Sequence, residues 1–350
     1  MKKKMLYIMS VDWEWTVQRP QIMAEMLSDD YDITVMFPRS ITTSNFKVPS
    51  HKNINFRILW TIPFQEKNKF IFFVSKLINR NKINHIKGEY DCVYVGYPLY
   101  GRYIPDSYEG QLIYDCMDNF EVLYPDQKRK SLIVDQEIKL VKKCDVLIAS
   151  SEYLRKKMDG IAGFPKSVLR RNGTKINFYA PLKKAEKKSE YSIGYVGTLS
   201  HWLDVKLLQE SITWGYGITY HFIGNNETEC IKGGVYHGIV NHELLPEKVS
   251  KFDCLIMPFV INDIVLAVDP VKLYEYIAFG KCIVSVYYPE LEQFRDYVYF
   301  YNSQYEYKEL LEFLTKKGFP PKYDSIQQKK MLDNSTWNAR FKALKEILDT

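Results

Sequence analysis

Lys272 and Glu275 stand three residues apart in the stretch Asp269-Pro-Val-Lys-Leu-Tyr-Glu-Tyr-Ile-Ala-Phe-Gly-Lys-Cys-Ile-Val-Ser-Val286. Residues at that spacing share one face of a helix. Pro270 suits the first helical position, and Asp269 before it is the expected N-cap. Such a helix start offers unpaired backbone N–H groups and the positive end of a dipole, which attract a phosphate. Pro270, Val271 and Leu273 surround that start, and Lys272 adds a full positive charge to it. Glu275, one turn on, can accept hydrogen bonds from the two hydroxyls of a ribose. Gly280 stops the helix, and Cys282 to Val286 reads as a buried strand. Together these residues describe a site for a nucleotide diphosphate. Many α/β proteins carry an Asp-Pro helix start before a buried strand with no ligand at all, and that reading stays open on this segment alone.

Three other loops carry chemistry. Val11-Asp-Trp-Glu-Trp-Thr-Val-Gln-Arg-Pro20 follows a first apolar run and offers Asp12, Trp13, Trp15 and Arg19. Flat rings suit pyranose faces and charges suit sugar hydroxyls, although Trp13 and Trp15 would serve equally as core anchors. Tyr114-Asp-Cys-Met-Asp118 places two acids, Asp115 and Asp118, at another strand end, where they can bind an acceptor hydroxyl, act as a base, or cap and pair structurally. Gly194-Tyr-Val-Gly-Thr198 opens the second half, and Gly197 would let backbone, with Thr198, approach a phosphate closely.

The elements that must position these residues read as strand, loop and helix, repeated in two halves. Short apolar runs alternate with helical patterns, which predicts parallel sheets covered on both faces. Residues 1–173 read as one Rossmann-like domain and 191–326 as a second. The Lys-rich segment 174–190 reads as a linker between them, and 327–350 as C-terminal helices broken near Asn334. A chain of 350 residues suits two domains of ordinary size.

The Pro-x-Lys-x-x-Glu-Tyr-x-Ala-x-Gly-Lys pattern of residues 270–281, with the Gly194–Gly197 loop, resembles the nucleotide-sugar motif of the group 1 glycosyltransferases. These are retaining enzymes of the GT-B fold, with two Rossmann-like domains facing across a cleft. Gln18-Arg19-Pro20 and Tyr114-Asp-Cys-Met-Asp118 resemble, more narrowly, the members that build bacterial cell-surface polysaccharides of the teichuronic acid, capsule or exopolysaccharide type. The resemblance implies a donor nucleotide-sugar, UDP-linked, on the second domain, bound by Gly197, Thr198, Pro270, Val271, Lys272, Leu273 and Glu275. It implies an acceptor saccharide, free or lipid-linked, on the first domain, met by Trp13, Trp15, Arg19 and Asp115. Lys272, Asp118 and Asp12 are the catalytic candidates, and the C-terminal helix is expected to cross back to the first domain. No metal and no further cofactor is expected. The chain also departs from the pattern. Thr198 stands where many members have Arg, Leu203 or a neighbour stands where they have Lys, and Ala267 stands where they have a further Glu. Lys206 and Arg19 are alternative cations for the diphosphate, and Asp263 or Asp269 alternative partners for the donor sugar.

Composition narrows the remaining classes. With 46% hydrophobic and 26% charged residues the chain reads as globular, and a net charge of +6 permits, without requiring, anionic partners. Its basic residues are scattered and no nucleic-acid module appears, so no nucleic-acid partner is expected. The six cysteines form no Cys-x-x-Cys pair, which argues against a disulfide framework or zinc site and for a reducing cytoplasm. The Lys2–Lys4 start leads into a first strand rather than a signal peptide, and no apolar stretch is long enough to span a bilayer. Phe70–Ile78, flanked by Lys67, Lys69, Arg80 and Lys82, reads either as a core helix or as a helix touching the inner membrane face. Two further functions remain: a nucleotide-sugar 2-epimerase of the same fold, and a non-catalytic nucleotide-sugar-binding subunit of a polysaccharide assembly complex.

Overall fold

The structure is a computed structural model that describes residues 2–44, 48–175 and 179–348. The chain divides into two units, one of Met1–Arg171 with Phe341–Thr350, the other of Asn172–Arg340. The first runs β1 (Lys4–Ile8), α1 (Arg19–Leu27), β2 (Asp32–Ser40), β3 (Ile54–Thr61), α2 (Lys69–Ile78), the short turns α3 (Arg80–Asn84) and α4 (Ile86–Glu89), β4 (Cys92–Val95), β5 (Gln111–Cys116), α5 (Gln127–Lys143), β6 (Val146–Ala149), α6 (Glu152–Ala162) and β7 (Ser167–Leu169). The second runs β8 (Tyr191–Val196), α7 (Val205–Ile212), β9 (Ile218–Ile223), β10 (Val235–Tyr236), α8 (Leu245–Ser250), β11 (Cys254–Met257), α9 (Val271–Ala278), β12 (Cys282–Val286), β13 (Tyr299–Tyr301), α10 (Gln304–Lys317) and α11 (Ser325–Asp333); α12 (Trp337–Leu348) starts in the second unit and ends in the first.

Both sheets are parallel, in the orders β3-β2-β1-β4-β5-β6-β7 and β10-β9-β8-β11-β12-β13. Central strands buried on both faces read as unbroken apolar runs. In β1, Leu6, Tyr7 and Ile8 have no exposed surface, and in β12, Cys282, Ile283 and Val284 have none. The strand order reverses between β1 and β4, and again between β8 and β11. Loops leaving such a switch point diverge and open a crevice beyond the carboxyl ends of the strands. The loop of Asp12, Trp13 and Trp15 follows β1; the loop of Gly197 and Thr198 follows β8.

The Lys-rich segment expected as a linker is tied to the second unit instead. Ala180 N donates to Ala278 O at 2.7 Å and Lys183 N to Gly280 O at 2.8 Å. Lys183 and Lys188 both reach Asp253 Oδ1, at 2.5 and 3.0 Å. Two of its lysines are thus engaged with one buried carboxylate. Residues 176–178 of that segment lie outside the described residues.

Candidate functional site

In the second unit, α9 carries the Lys272 and Glu275 pair. No side chain caps it, and its N-cap is Pro270, not Asp269 as the sequence suggests. Asp269 is buried, and its carboxylate accepts from Asn172 N at 2.8 Å, Tyr274 Oη at 3.1 Å and Gln293 Nε2 at 3.1 Å. Those bonds anchor the helix start from behind, so Asp269 neither caps nor substitutes for the missing donor-sugar carboxylate. Asp263 lies in the exposed part of the loop before α9, and Ala267 is buried in its 3₁₀ turn.

Tyr276 pins α9 to the end of β8, its hydroxyl accepting from Val196 N at 3.0 Å. The loop after β8 is closed by Tyr195, whose hydroxyl donates to Thr198 O at 3.0 Å. Lys272 lies across this loop, its Nζ 5.9 Å from the Tyr195 ring centroid. Gly197 has φ +137°, and a Cβ there would meet Lys272 Cε at 2.4 Å and Nζ at 2.8 Å. Gly224, after β9, has φ +143° and packs so tightly on the same loop that its Cβ would meet Gly197 O at 2.2 Å. Burial pulls the Lys272 ammonium below its ordinary pKa, with the Glu275 carboxylate opposing that shift. An anion beside it would favour the charged form.

Glu275 is partly exposed and faces His242, Oε1 to Nε2 3.8 Å. The nearby Glu275 carboxylate raises the His242 pKa above its ordinary value, against the effect of burial. His242 lies between β10 and α8, and no pattern in the sequence marks it. Lys206, the alternative cation, begins α7 and lines a cavity of about 250 Å³ with Asp204, Phe259, Tyr301 and Gln304. Lys281 of the motif's Gly-Lys is buried, donates to Ser250 O at 2.7 Å and Phe252 O at 2.9 Å, and holds the fold rather than a ligand.

In the first unit, Arg19 turns inward from the start of α1. Its Nε and Nη2 donate to Asp115 Oδ2 and Oδ1 at 2.9 and 3.0 Å, and Nη1 to Arg170 O at 2.9 Å. Tyr94 Oη also donates to Asp115 Oδ2, at 2.7 Å. Burial works against the Arg19 charge, and Asp115 more than offsets it. Arg19 and Asp115 are both buried. They form a brace under the strand ends, where the sequence places them as acceptor contacts.

Asp12 meets Arg39, a residue the sequence did not single out, in a two-pronged pair: Nε to Oδ2 2.8 Å, Nη2 to Oδ1 2.6 Å. Arg39 Nη2 also donates to Glu14 Oε2 at 2.8 Å. Nothing in a lone Pro-Arg-Ser at a strand end signals this; only the β1–β2 pairing brings it there. Trp13 packs edge-on to Phe56 with centroids 4.7 Å apart, which makes it an anchor, while Trp15 is 63% exposed and free to stack. Asp118 is half-buried just after β5. Burial pushes its carboxyl up to about 7, with Arg19 lowering and Asp115 raising it. Nearby, Ser40, Thr61, Glu66, Tyr100 and Arg129 line a cavity of about 370 Å³ at the ends of β2 and β3. Among the described residues, no group of three or more His, Cys, Asp or Glu could hold a metal ion.

The two parallel sheets and their switch-point loops define a GT-B fold. Sucrose-phosphate synthase from Thermosynechococcus elongatus shares it at a TM-score of 0.74 and 12% identity, over 99% of this chain and 98% of that one. The lipopolysaccharide outer core galactosyltransferase WaaB matches at 0.68 and 12%, over 99% of each chain. A UDP-forming α,α-trehalose-phosphate synthase from Burkholderia xenovorans matches at 0.66 and 9%, over 99% of this chain and 100% of that one. In sequence, the chain is 24% identical over 252 residues to TuaH of Bacillus subtilis (strain 168), which carries the provisional name of a teichuronic acid biosynthesis glycosyltransferase. That match spans 65% of this chain and 64% of the relative's length. No protein-family profile matches the chain. The resemblance to group 1 glycosyltransferases seen in the motifs is therefore borne out by the fold along the whole chain and by that sequence relative.

Proposed function

We propose that this chain is a glycosyltransferase. It moves a sugar from a nucleotide-diphosphate sugar, UDP-linked, to a saccharide acceptor in cell-surface polysaccharide synthesis, on the cytoplasmic side of the membrane. The observation that carries the reading is the seating of Lys272 against Gly197 at the uncapped start of α9. The names of TuaH and of the UDP-forming synthase support the acceptor and donor classes.

In the reaction, the bond from the anomeric carbon to the diphosphate oxygen breaks and the acceptor oxygen bonds to that carbon. Negative charge grows on the departing diphosphate. Lys272 and the α9 N–H groups meet it with charge and dipoles already in place, which lowers the barrier. Glu275 takes the ribose hydroxyls, and Gly197 and Thr198 bring backbone to the phosphates. On the first unit, Asp12 is held by Arg39, so it orients an acceptor hydroxyl better than it takes a proton. Asp118, with its pKa near 7, suits the transfer of that hydroxyl's proton. The sugar is transferred with retention and without a metal.

The Thr198 and Ala267 departures favour one other reading, a subunit that binds the nucleotide-sugar without turning it over. A thermal-shift panel of nucleotide diphosphates and sugar nucleotides, on wild type and Glu275→Ala, tests the donor site. A ligand at 100 times its dissociation constant stabilises by about 2.7 kcal/mol. Stabilisation by one base, lost in the variant, supports the site, and turnover of that donor then separates enzyme from binding subunit. No response to any nucleotide would sink the transferase reading.

A further inference from the structure

Helix α2 buries Phe72 and Ser75 and leaves most of its apolar side chains outside. Its inward face carries polar groups: Ser75 Oγ bonds Tyr103 Oη at 2.9 Å, and Asn79 receives Trp60 N at 3.1 Å while donating to Trp60 O at 2.8 Å. Ser75 and Asn79 have no exposed surface. Its outward face is apolar: Phe70 is 73% exposed, Phe73 57%, Leu77 50% and Ile78 46%. Positions 70, 73 and 77 share one helical stripe. Phe64, in the turn before the helix, extends the stripe at 72% exposure with φ +65°, a backbone conformation that disfavours an aromatic residue. An apolar stripe of this kind on a water-facing helix marks an interaction surface.

The charge around the stripe selects its occupant. Residues 67–87 hold Lys67, Lys69, Lys76, Arg80, Lys82 and Lys87 with no Asp or Glu among them. Behind the helix, Arg102, Lys139 and Lys143 line a cavity of about 350 Å³ with Phe72, Lys76 and one acid, Asp106, which pairs with Lys143 at 3.5 Å. Lys67 is ion-paired to Asp126, whereas Lys69 and Arg80 are exposed on either end of the stripe. Aromatic and aliphatic side chains ringed by cations match an interface of hydrocarbon beneath anionic headgroups. At ten residues α2 is far too short to cross a bilayer, and no helix among the described residues is long and apolar enough to do so.

We infer that α2, with the Phe64 turn, docks this chain onto an anionic lipid bilayer, lying in the interface with Phe70, Phe73, Leu77 and Ile78 among the acyl chains. Phe64 and Lys67 also line the 370 Å³ cavity at the ends of β2 and β3. Docking therefore brings that cavity to the headgroup layer, where a lipid-linked saccharide is presented; this consequence rests on the proposed function, while the docking itself does not.

The test is co-sedimentation of the full chain with phosphatidylcholine vesicles, with and without about one third phosphatidylglycerol, at low and high salt. Wild type is expected to bind the anionic vesicles and to be released partly by salt. Phe70→Ser/Phe73→Ser should lower the partition by about tenfold or more. Lys69→Gln/Lys76→Gln/Arg80→Gln should lower it on anionic vesicles only. An unchanged unfolding midpoint shows that each variant folds, whatever the nucleotide panel gives. Absence of vesicle binding, or equal binding by the Phe variant, overturns the inference. So does a wild-type dimer in light scattering that the Phe substitutions convert to a monomer, which would assign the face to a second copy.

Discussion

Lys272 occupies the space that a β-carbon on residue 197 would need: its Nζ lies 2.8 Å from that position. The glycine is thus what seats the lysine at the uncapped start of α9. Gly197→Ala should displace Lys272 and abolish the nucleotide-induced thermal shift. It should also cost about 1–3 kcal/mol of stability, because φ +137° strains any residue with a side chain. Gly215→Ala is the control, since Gly215 has φ +78° with nothing near its would-be Cβ. It carries the same kind of strain and should keep the nucleotide response.

Under the proposed function, His242 competes with the donor for Glu275. Its pKa is raised, so the protonated imidazole holds the carboxylate below that value and releases it above. The contribution to folding stability is present below the ordinary histidine value near 6.5 and lost as pH rises through the raised folded value. With the imidazole 59% exposed, it amounts to about a few tenths of a kcal/mol at most. The sharper readout is binding. A sugar nucleotide, whose diphosphate is esterified at both ends, should bind more weakly at pH 6 than at pH 8, and His242→Gln should remove most of that difference. Calorimetric titration at the two pH values checks it.

Asp118 predicts a stability change of the same sign and larger size. Its folded pKa, about 7, is raised above the unfolded value near 3.9, so the folded state holds a proton that the unfolded state releases between those values. Wild-type stability should fall as pH rises from 4 to 7. Asp118→Asn should flatten that slope and gain about 1–3 kcal/mol at pH 8 relative to wild type, while turnover is lost if this carboxyl moves the acceptor proton. Denaturant melts across the pH range measure the first and a donor-turnover assay the second.

The Arg19–Asp115 brace should behave as a structural pair. Asp115→Asn strips a buried guanidinium of its counter-charge and is expected to cost about 3–5 kcal/mol. Arg19→Lys loses the two-pronged geometry and should also destabilise. Neither should change the nucleotide thermal shift, because both residues belong to the first unit. A selective loss of nucleotide response would contradict the assignment.

Where local pattern decides the structure, the sequence is readable. The apolar run at 282–286 is β12, and the helix expected between Pro270 and Gly280 is α9. What was hidden depends on partners distant in sequence. Asp269 reads as a cap until Asn172 and Gln293 claim its carboxylate. Arg39 is mute until β2 lies beside β1. The helix read over Phe70–Ile78 is α2, but its end is fixed by Asn79, which bonds the Trp60 backbone and separates α2 from α3. Periodicity finds an amphipathic helix without saying which face meets water, so the orientation of Phe70 and Phe73 had to come from Ser75 and Asn79.

The first unit is discontinuous in the chain: its last residues, from Phe341, follow the whole of the second unit. Lys345 pairs with Asp30, and the Arg170 guanidinium donates to Ala343 O at 2.9 Å. During synthesis, the first unit, with all seven strands of its sheet, therefore emerges from the ribosome long before the helical segment that completes it. Until then it must wait, incomplete, while roughly half of the chain is still being translated, and a stall or truncation near Arg340 would release a second unit fully formed beside a first one left unfinished.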